Sequence, residues 1–184
     1  MLIFILQSLY YFLPAYFANM SPVLFRKVFH SLALPVDMGR SLKGKRILGD
    51  NKTWRGIVIG TAMAMLIAVL QKALYQDQFF QGISLIDYSS ISYFHILLLG
   101  FLLGLGALLG DAVKSFFKRQ AGVKPGTSWF PFDQLDFVIG GLLLSFLVFI
   151  PSLKAVLIIL VFSPILHLIV KFIGYLLHVD NKKI

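Results

Sequence analysis

Three aspartates stand at the ends of two long apolar stretches of the sequence, and their types and spacing are suited to chemistry. Asp111 closes one stretch, and Asp133 and Asp136 open the next. A spacing of three residues places Asp133 and Asp136 on one face at the amino end of a helix, where the helix dipole favours negative charge. Neighbouring carboxylates repel each other unless a cation lies between them. Because no His or Cys is nearby, these hard oxygen ligands indicate Mg²⁺ together with phosphate groups.

Asp111 also begins a polar pattern along its own stretch. If that segment is helical, the spacing i, i+3, i+4, i+7 places four polar side chains on one face: Asp111, Lys114, Ser115 and Lys118. A charged Asp costs about 2.5 to 3.5 kcal/mol at the centre of a membrane helix and less near the interface, so Asp111 needs a partner or a chemical role. Pairing of Asp111 with Lys114 or Ser115 is the purely structural alternative.

A basic segment that leads into the second apolar stretch contains four glycines among its lysines and arginines, at Gly39, Gly44, Gly49 and Gly56. Residues 39–46 nearly match the Walker A pattern, but Arg46 replaces the final Ser or Thr and no βαβ unit surrounds them, so a true P-loop is not expected. Free backbone amides beside cations still favour an anion. Ordinary membrane-flanking charge in a flexible loop is the alternative.

Asn51, Lys52 and Thr53 stand directly before the second apolar stretch. Asn51 or Thr53 can cap the helix that begins there, and Lys52 can reach a phosphate near the same helix terminus. Capping alone is an adequate explanation of Asn51 and Thr53.

The composition determines what kind of elements must position these residues. The chain has 184 residues, of which 58% are hydrophobic and 14% charged, too few polar side chains to cover a globule in water. This length corresponds to a single domain, residues 1–184, and a bilayer is its expected solvent. All eight acidic residues are Asp, and the absence of Cys excludes disulfides, thiolate nucleophiles and Cys-ligated metals.

Five stretches approach the length of about 20 mostly apolar residues that a membrane-spanning helix needs. We therefore predict an all-α, polytopic membrane protein with five transmembrane helices and two basic cytoplasmic loops. The predicted spans are residues 2–20, 54–75, 91–117, 134–150 and 155–177.

The charges predict how these spans are oriented. Of the 17 lysines and arginines, 15 lie on one side, in the loops 21–55 and 114–133 and in the carboxyl-terminal tail, whereas the connection 76–90 contains none. Positive charge accumulates on the cytoplasmic side. We therefore predict a multi-pass plasma-membrane protein with its amino terminus outside and its carboxyl terminus in the cytoplasm.

Three pairs of small residues lie four positions apart in or beside the spans, at Gly56 and Gly60, Gly100 and Gly104, and Gly106 and Gly110. This spacing lets helices approach closely, so we assign these glycines to helix packing. The four histidines are scattered and form no pair at metal-ligand spacing, and we give them no role.

An ordered series of motifs resembles the membrane CTP:lipid-phosphate cytidylyltransferases. Ser115-x-x-Lys118-Arg119-x-x-x-x-Lys124 is followed by Asp133-x-x-Asp136. The chain is most similar to the short branch of that family, the CDP-archaeol synthases, in its length, its five predicted spans, its Gly-x-x-Lys-Thr residues before the second span and its Gly-Asp at the end of the third. The His-Gly-Gly element of the longer phosphatidate cytidylyltransferases is absent. The resemblance covers roughly residues 39–141.

The resemblance implies an enzyme of phospholipid biosynthesis that condenses CTP with a lipid phosphate to give CDP-lipid and pyrophosphate. The lipid phosphate would be 2,3-di-O-geranylgeranylglyceryl phosphate or phosphatidate, drawn from the bilayer. Nucleic acid is not an expected partner, and a homodimer remains open.

The same resemblance implies roles for particular residues. The implied catalytic residues are Asp111, Lys114, Lys118, Asp133 and Asp136, with Mg²⁺ as cofactor on the three aspartates. The implied phosphate and nucleotide contacts are Asn51, Lys52, Thr53, Ser115, Arg119 and Lys124.

Membrane transport is the alternative function, because five spans with charged boundaries could belong to a carrier or channel for anions or lipids. No inverted repeat is detectable, however, and the charges cluster at the cytoplasmic boundary, which disfavours transport. The Asp-Gly-x-x-Ala-Arg element of the CDP-alcohol phosphotransferases is absent. A purely structural membrane protein would not need the three aspartates.

Overall fold

The computed structural model describes residues 1–25, 28–123, 127 and 129–176. The helices in this part of the chain are α1 (Leu2–Tyr11), α2 (Leu13–Leu24), α3 (Trp54–Leu74), α4 (Gln78–Gly82), α5 (Tyr93–Gln120), α6 (Phe132–Ser145) and α7 (Leu153–Leu176). A 3-10 turn (His30–Leu32) and a hairpin of strands β1 (Ser41–Leu42) and β2 (Lys45–Arg46) lie between α2 and α3. We predicted an all-α protein, and the described chain is mostly helical, with this small hairpin as an addition.

Three of the described helices, α3, α5 and α7, are long and apolar enough to cross a membrane, and α1 and α2 together would make a fourth. Helix α6 has only 14 residues, which at about 1.5 Å per residue is shorter than a hydrocarbon core of about 30 Å. It ends at Ser145 instead of continuing to residue 150. The structure therefore supports three to four spans, and the predicted count of five is not confirmed.

The predicted first span is broken, because α1 and α2 meet at Phe12 with a bend of 53°. Pro14 lies in the first turn of α2. It has no backbone N–H, so it cannot donate to the carbonyl group of Tyr10 four residues earlier. The side-chain amide of Gln71 in α3 donates to that carbonyl oxygen instead, at 2.5 Å. A neighbouring helix thus supplies the hydrogen bond that Pro14 cannot donate to the Tyr10 carbonyl group.

Glycines let the helices around α5 approach it closely. A Cβ at Gly104 would lie 2.5 Å from the Cβ of Ala64 in α3, and a Cβ at Gly100 would lie 2.8 Å from that of Ala68. On the other side of α5, a Cβ at Gly106 would lie 2.4 Å from the carbonyl oxygen of Gly140 in α6. The predicted packing role of these glycines is confirmed. It places α5 between α3 and α6.

The β1–β2 hairpin closes through Lys43 and Gly44, which both have positive φ, at 50° and 76°. Such a two-residue turn matches the twist of the paired strands. The hairpin lies against the end of α5, since Lys45 Nζ donates to the carbonyl oxygen of Gln120 at 2.5 Å and Gln120 Nε2 donates to that of Arg46 at 3.4 Å. The first loop is therefore held at the same end of α5 as Asp111.

Candidate active site

Lys114 of α5 lies between the three predicted carboxylates. Its Nζ is 3.2 Å from Asp111 Oδ1, 2.8 Å from Asp133 Oδ1 and 3.0 Å from Asp136 Oδ2. These side chains are largely buried, with exposed fractions from 5% for Asp136 to 22% for Asp111. The structure therefore brings the three carboxylates together, and it does so around an ammonium group. The structural pairing of Asp111 with Lys114 is also present.

Two further lysines neutralise the same carboxylates. Lys52, which directly precedes α3, forms an ion pair with Asp111. Lys118, one turn after Lys114 and only 7% exposed, donates to both oxygens of Asp133 at 2.9 and 3.1 Å. We call these six residues the acid–lysine cluster: Lys52, Asp111, Lys114, Lys118, Asp133 and Asp136. Its three negative and three positive groups balance in a site that is mostly shielded from water.

The backbone crossing of α5 and α6 positions this cluster. A Cβ at Gly110 would lie 2.1 Å from the carbonyl oxygen of Asp136, and a Cβ at Gly140 would lie 2.9 Å from the Cα of Gly110. Only glycine permits such close contact between main chains. Asp111, the residue after Gly110, therefore lies close to the first turn of α6. Asp111 and Asp136 can then meet at one lysine.

The first turn of α6 holds its two aspartates differently. Asp133 Oδ2 accepts a hydrogen bond from the backbone N–H of Trp129 at 2.7 Å, and Asp136 Oδ1 accepts one from that of Phe137 at 2.6 Å. Asp136 Oδ2 is buried, and the ammonium of Lys114 faces it at 3.0 Å. Lys114 is therefore the cation that this oxygen meets in the structure.

Thr53 is the N-cap of α3, and the backbone N–H of Gly56 donates to its Oγ1 at 3.2 Å. The predicted capping role of Thr53 is confirmed. Asn51 is exposed on the preceding turn. The cap fixes where α3 begins, and this holds Lys52 at the edge of the acid–lysine cluster.

The other predicted contacts are placed less directly. The Ser115 hydroxyl donates to the main-chain oxygen of Asp111 at 2.8 Å, so it is turned toward its own helix. Arg119 Nη1 donates to the carbonyl oxygen of Val123 at 2.6 Å, and its Nε is buried with no hydrogen-bond partner in the described chain. Lys124 lies outside the described residues.

A metal ion was predicted on the three aspartates. Residues 1–25, 28–123, 127 and 129–176 contain no group of three or more Asp or His side chains that could hold a metal as they stand, and Lys114 Nζ lies where the carboxylates converge. The donor set itself fits a hard divalent cation, since three carboxylates that reach one ammonium nitrogen can reach a small ion in its place. Binding such an ion would require Lys114 to turn away.

The glycine-rich loop binds an anion that belongs to the chain itself. Asp37 accepts hydrogen bonds from the backbone N–H groups of Gly39, Leu48 and Gly49 at 2.9 to 3.1 Å, and from Arg46 Nη2 at 2.9 Å. These amides and Arg46 were expected to be available to a substrate anion, and they are instead engaged by Asp37. Burial opposes its ionisation, but the hydrogen bonds outweigh burial and hold the pKa of Asp37 well below its usual range.

An apolar groove of about 590 Å³ opens between α5 and α6. Its walls are mostly aliphatic and aromatic, including Val113, Phe117 and Ile139. Lys114 and Asp136 lie on the same groove. The groove therefore joins the apolar exterior of the helices to the acid–lysine cluster.

The sequence alone predicted no role for His167, yet this residue belongs to a polar seam between α2 and α7. Its Nδ1 is 3.4 Å from Asn19 Nδ2, and its ring lies 5.6 Å from that of Phe137. One turn earlier in α7, Ser163 Oγ and Tyr16 OH are 2.6 Å apart. Polar residues spaced by three and four in both apolar stretches are the signal that could have indicated this pairing.

Fold and site together define a membrane-embedded enzyme whose cations and carboxylates suit substrates that carry phosphate. The family model described as CarS-like CDP-archaeol synthase matches residues 1–183. The chain therefore belongs to the CDP-archaeol synthase family, and so to the CTP-dependent cytidylyltransferases of membrane lipid biosynthesis. This membership disfavours the transport alternative.

Individual relatives agree with the family match. The chain is 42% identical to the CDP-archaeol synthase of Methanospirillum hungatei, over 89% of this chain and 94% of that protein. It is 38% identical to that of Pyrococcus furiosus, over 89% and 88%. A solved structure described as "Structural insight into an intramembrane enzyme for archaeal membrane lipids biosynthesis" superposes with a TM-score of 0.70 at 30% identity, covering 91% of this chain and 94% of that one.

Proposed function

We propose that this protein transfers the cytidylyl group of CTP to a lipid phosphate, giving CDP-lipid and pyrophosphate. The lipid is 2,3-di-O-geranylgeranylglyceryl phosphate, the precursor to which the names of the relatives point, with phosphatidate as the second candidate. The observation that carries the proposal is the acid–lysine cluster at the head of an apolar groove. This arrangement offers cations to phosphates and an apolar surface to a lipid at one place.

The reaction needs positioning more than a protein nucleophile. An ionised oxygen of the lipid phosphate attacks the α-phosphorus of CTP, the bond from that phosphorus to the oxygen bridging to the β-phosphorus breaks, and pyrophosphate leaves with its electron pair. Both reactants are anionic, so their repulsion must be neutralised before they align. Preorganised charges supply most of the catalysis in such transfers.

Asp111, Asp133 and Asp136 would hold Mg²⁺ for this reaction. Bound there, the ion would neutralise triphosphate charge and polarise the reacting phosphorus. Their donor chemistry supports this role, since three carboxylates that converge on one ammonium nitrogen can converge on a small hard cation.

The lysines hold the phosphates. Lys114 and Lys118 lie among the carboxylates, and their ammonium groups would neutralise phosphate oxygens bound at this site. Lys52 contributes from the start of α3, and Arg119 from the end of α5. Further contacts with the nucleotide would come from Asn51, Thr53, Ser115 and Lys124.

The groove between α5 and α6 holds the lipid chain. Lys114 and Asp136 lie on this groove, so a negatively charged head group would lie beside the ammonium of Lys114 while the hydrocarbon packs against Val113, Phe117 and Ile139. The substrate thus enters sideways from the bilayer.

The proposal includes the single domain 1–184 and its membrane topology: five membrane segments, the amino terminus outside and the carboxyl terminus in the cytoplasm. The distribution of lysine and arginine supports this orientation, and α6 would enter the bilayer as a short segment against α5. Single cysteines placed at Ser90 and Ser41 test it, because only the former should react with an impermeant maleimide added to intact cells. A homodimer, tested by the mass of the purified protein, is compatible with this topology.

The direct test of function is an assay of purified protein in detergent or liposomes with labelled CTP, Mg²⁺ and one lipid phosphate at a time. We expect CDP-lipid and pyrophosphate in equal amounts, with the geranylgeranyl ether lipid preferred to phosphatidate. Preference for phosphatidate would change the proposed lipid substrate but leave the proposed reaction as it is. Absence of both products with every lipid phosphate would overturn the proposal.

A further inference from the structure

Asp37 is a buried carboxylate outside the acid–lysine cluster, and nothing in the proposed chemistry uses it. It is 7% exposed, yet it gathers three backbone N–H groups and the guanidinium of Arg46 from positions as far as Gly49. A carboxylate that accepts several backbone donors and a guanidinium fixes the conformation of the loop that supplies them. Asp37 therefore holds the loop of residues 37–49 in its conformation.

The ends of that loop lead directly to the cluster. The backbone N–H of Val36 donates to the carbonyl oxygen of Lys52 at 2.8 Å, so the chain beside Asp37 is tied to the lysine that pairs with Asp111. Gly49, with φ of +95°, has its Cα facing Arg119, where a Cβ would lie 3.5 Å from Nε. Asp37 therefore touches neither Lys52 nor Arg119, but it fixes the loop backbone that is hydrogen-bonded to Lys52 and that faces Arg119 at Gly49.

Arg46 offers a matched comparison, because it pairs with two aspartates. Asp37, whose side chain is 1% exposed, is 2.9 Å from Arg46 Nη2, and Asp50, whose side chain is 80% exposed, is 2.9 Å from Nη1. An exposed ion pair contributes little. Removal of the buried acceptor leaves several N–H groups without a partner. The two aspartates thus differ in burial and backbone contacts while sharing one arginine.

We propose that Asp37 is a positioning residue that keeps Lys52 and the guanidinium of Arg119 directed toward the phosphates of CTP. The inference rests on the proposed function, since it names the part of the chain that orders the nucleotide side of that site. Because the lipid groove lies between α5 and α6, on other elements, Asp37 should affect the use of CTP and not that of the lipid phosphate.

The test compares Asp37→Asn with Asp50→Asn in the purified full-length protein. For Asp37→Asn we expect the KM for CTP to rise at least about tenfold, as for the loss of hydrogen bonds to a charged group, with the KM for the lipid phosphate within about twofold of wild type. Asp50→Asn should match wild type in both. Equal changes in both KM values, or none in the KM for CTP, would overturn the inference.

If Asp37→Asn does not fold, Arg46→Met replaces it, because this variant keeps the carboxylate and its backbone hydrogen bonds. It should show the same selective rise for CTP at smaller size, and an unselective effect would overturn the inference. Calorimetric binding of CTP with Mg²⁺ separates the two proposals. A wild-type protein that binds CTP and makes no CDP-lipid refutes the function, whereas an active wild type beside an Asp37→Asn variant with normal CTP binding refutes only the role of Asp37.

Discussion

The α-carbon of Gly110 passes so close to Asp136 that a β-carbon at position 110 would lie 2.1 Å from the Asp136 carbonyl oxygen. This contact between main chains brings the end of the membrane part of α5 against the first turn of α6. The carboxylates on the two helices then reach the ammonium of Lys114. The crossing itself is therefore a requirement of the site.

Gly110→Ala should separate α5 from α6 without changing any charged residue. Overpacking of this kind costs about 1 to 3 kcal/mol, so we expect a lower thermal midpoint in detergent together with loss of CDP-lipid formation. Gly82→Ala is the matched control, since a Cβ at Gly82 meets no atom within 4 Å. Full activity of Gly110→Ala would show that the crossing does not position the site.

Asp133→Asn should abolish CDP-lipid formation in a protein that remains inserted and folded. The change removes a charge that faces Lys114 and Lys118, and loss of one preorganised electrostatic group typically costs at least about 100-fold in rate. Asp77→Asn, on the connection at the opposite end of α3, should retain wild-type rates of pyrophosphate release. An active Asp133→Asn variant in the presence of Mg²⁺ would remove Asp133 from the site.

Lys114→Met should let the three carboxylates take a divalent cation more readily. Removal of a unit charge at about 4 Å changes the electrostatic energy by about 4 kcal/mol at an effective dielectric of 20. We expect Mn²⁺ titrations followed by electron paramagnetic resonance to show at least tenfold tighter binding without CTP, a conservative bound on that estimate. CDP-lipid formation should fall at the same time. Lys154→Met is the control, because the Nζ of Lys154 lies 5.1 Å from the Phe4 ring centroid; this variant should bind Mn²⁺ as wild type does. Unchanged Mn²⁺ affinity in Lys114→Met would contradict the proposal that Lys114 and the cation compete for the same carboxylates.

Ile139→Trp should obstruct the groove between α5 and α6. Steric overlap of this kind costs about 1 to 3 kcal/mol, so the KM for the lipid phosphate should rise at least about fivefold, and the KM for CTP should stay constant. Leu157→Trp, on an exposed face of α7 away from the groove, is the control. An equal effect of both tryptophans would mean that the lipid binds elsewhere.

The loop around Asp37 should stay intact at acidic pH. Its pKa lies below the ordinary value of about 3.9, so the stabilisation is complete above that value and is lost as the pH falls through the lower folded-state value. The amide resonances of Leu48 and Gly49, followed by NMR in micelles, should therefore be flat from pH 7 through the ordinary carboxyl value of about pH 3.9 and move only below it. A transition of these resonances centred near or above about pH 3.9 would show that Asp37 is not held as described.

The secondary structure was predictable where a single pattern dominated. Long apolar runs indicated α3, α5 and α7, and the polar stripe on α5 was already present in the spacing of Asp111, Lys114 and Lys118. The bend at Phe12 was only partly predictable. A proline in an apolar stretch indicates a kink, but the residue that accommodates it, Gln71, is remote in sequence. Asp37 was missed for the same reason: Leu48 and Gly49 reach it only after the hairpin has reversed the chain.

What the sequence determined by itself was local: which segments are apolar, which face of α5 is polar, and which residue types are available to phosphate and metal. The tertiary structure decided which charges meet, because the contact of Gly110 with Asp136 is made between helices and cannot be derived from the spacing within either. It also decided that a lysine lies between the three aspartates and that the glycine-rich loop closes on an aspartate of its own. Electrostatic partners depend on distances through space, and those distances exist only once the helices have packed.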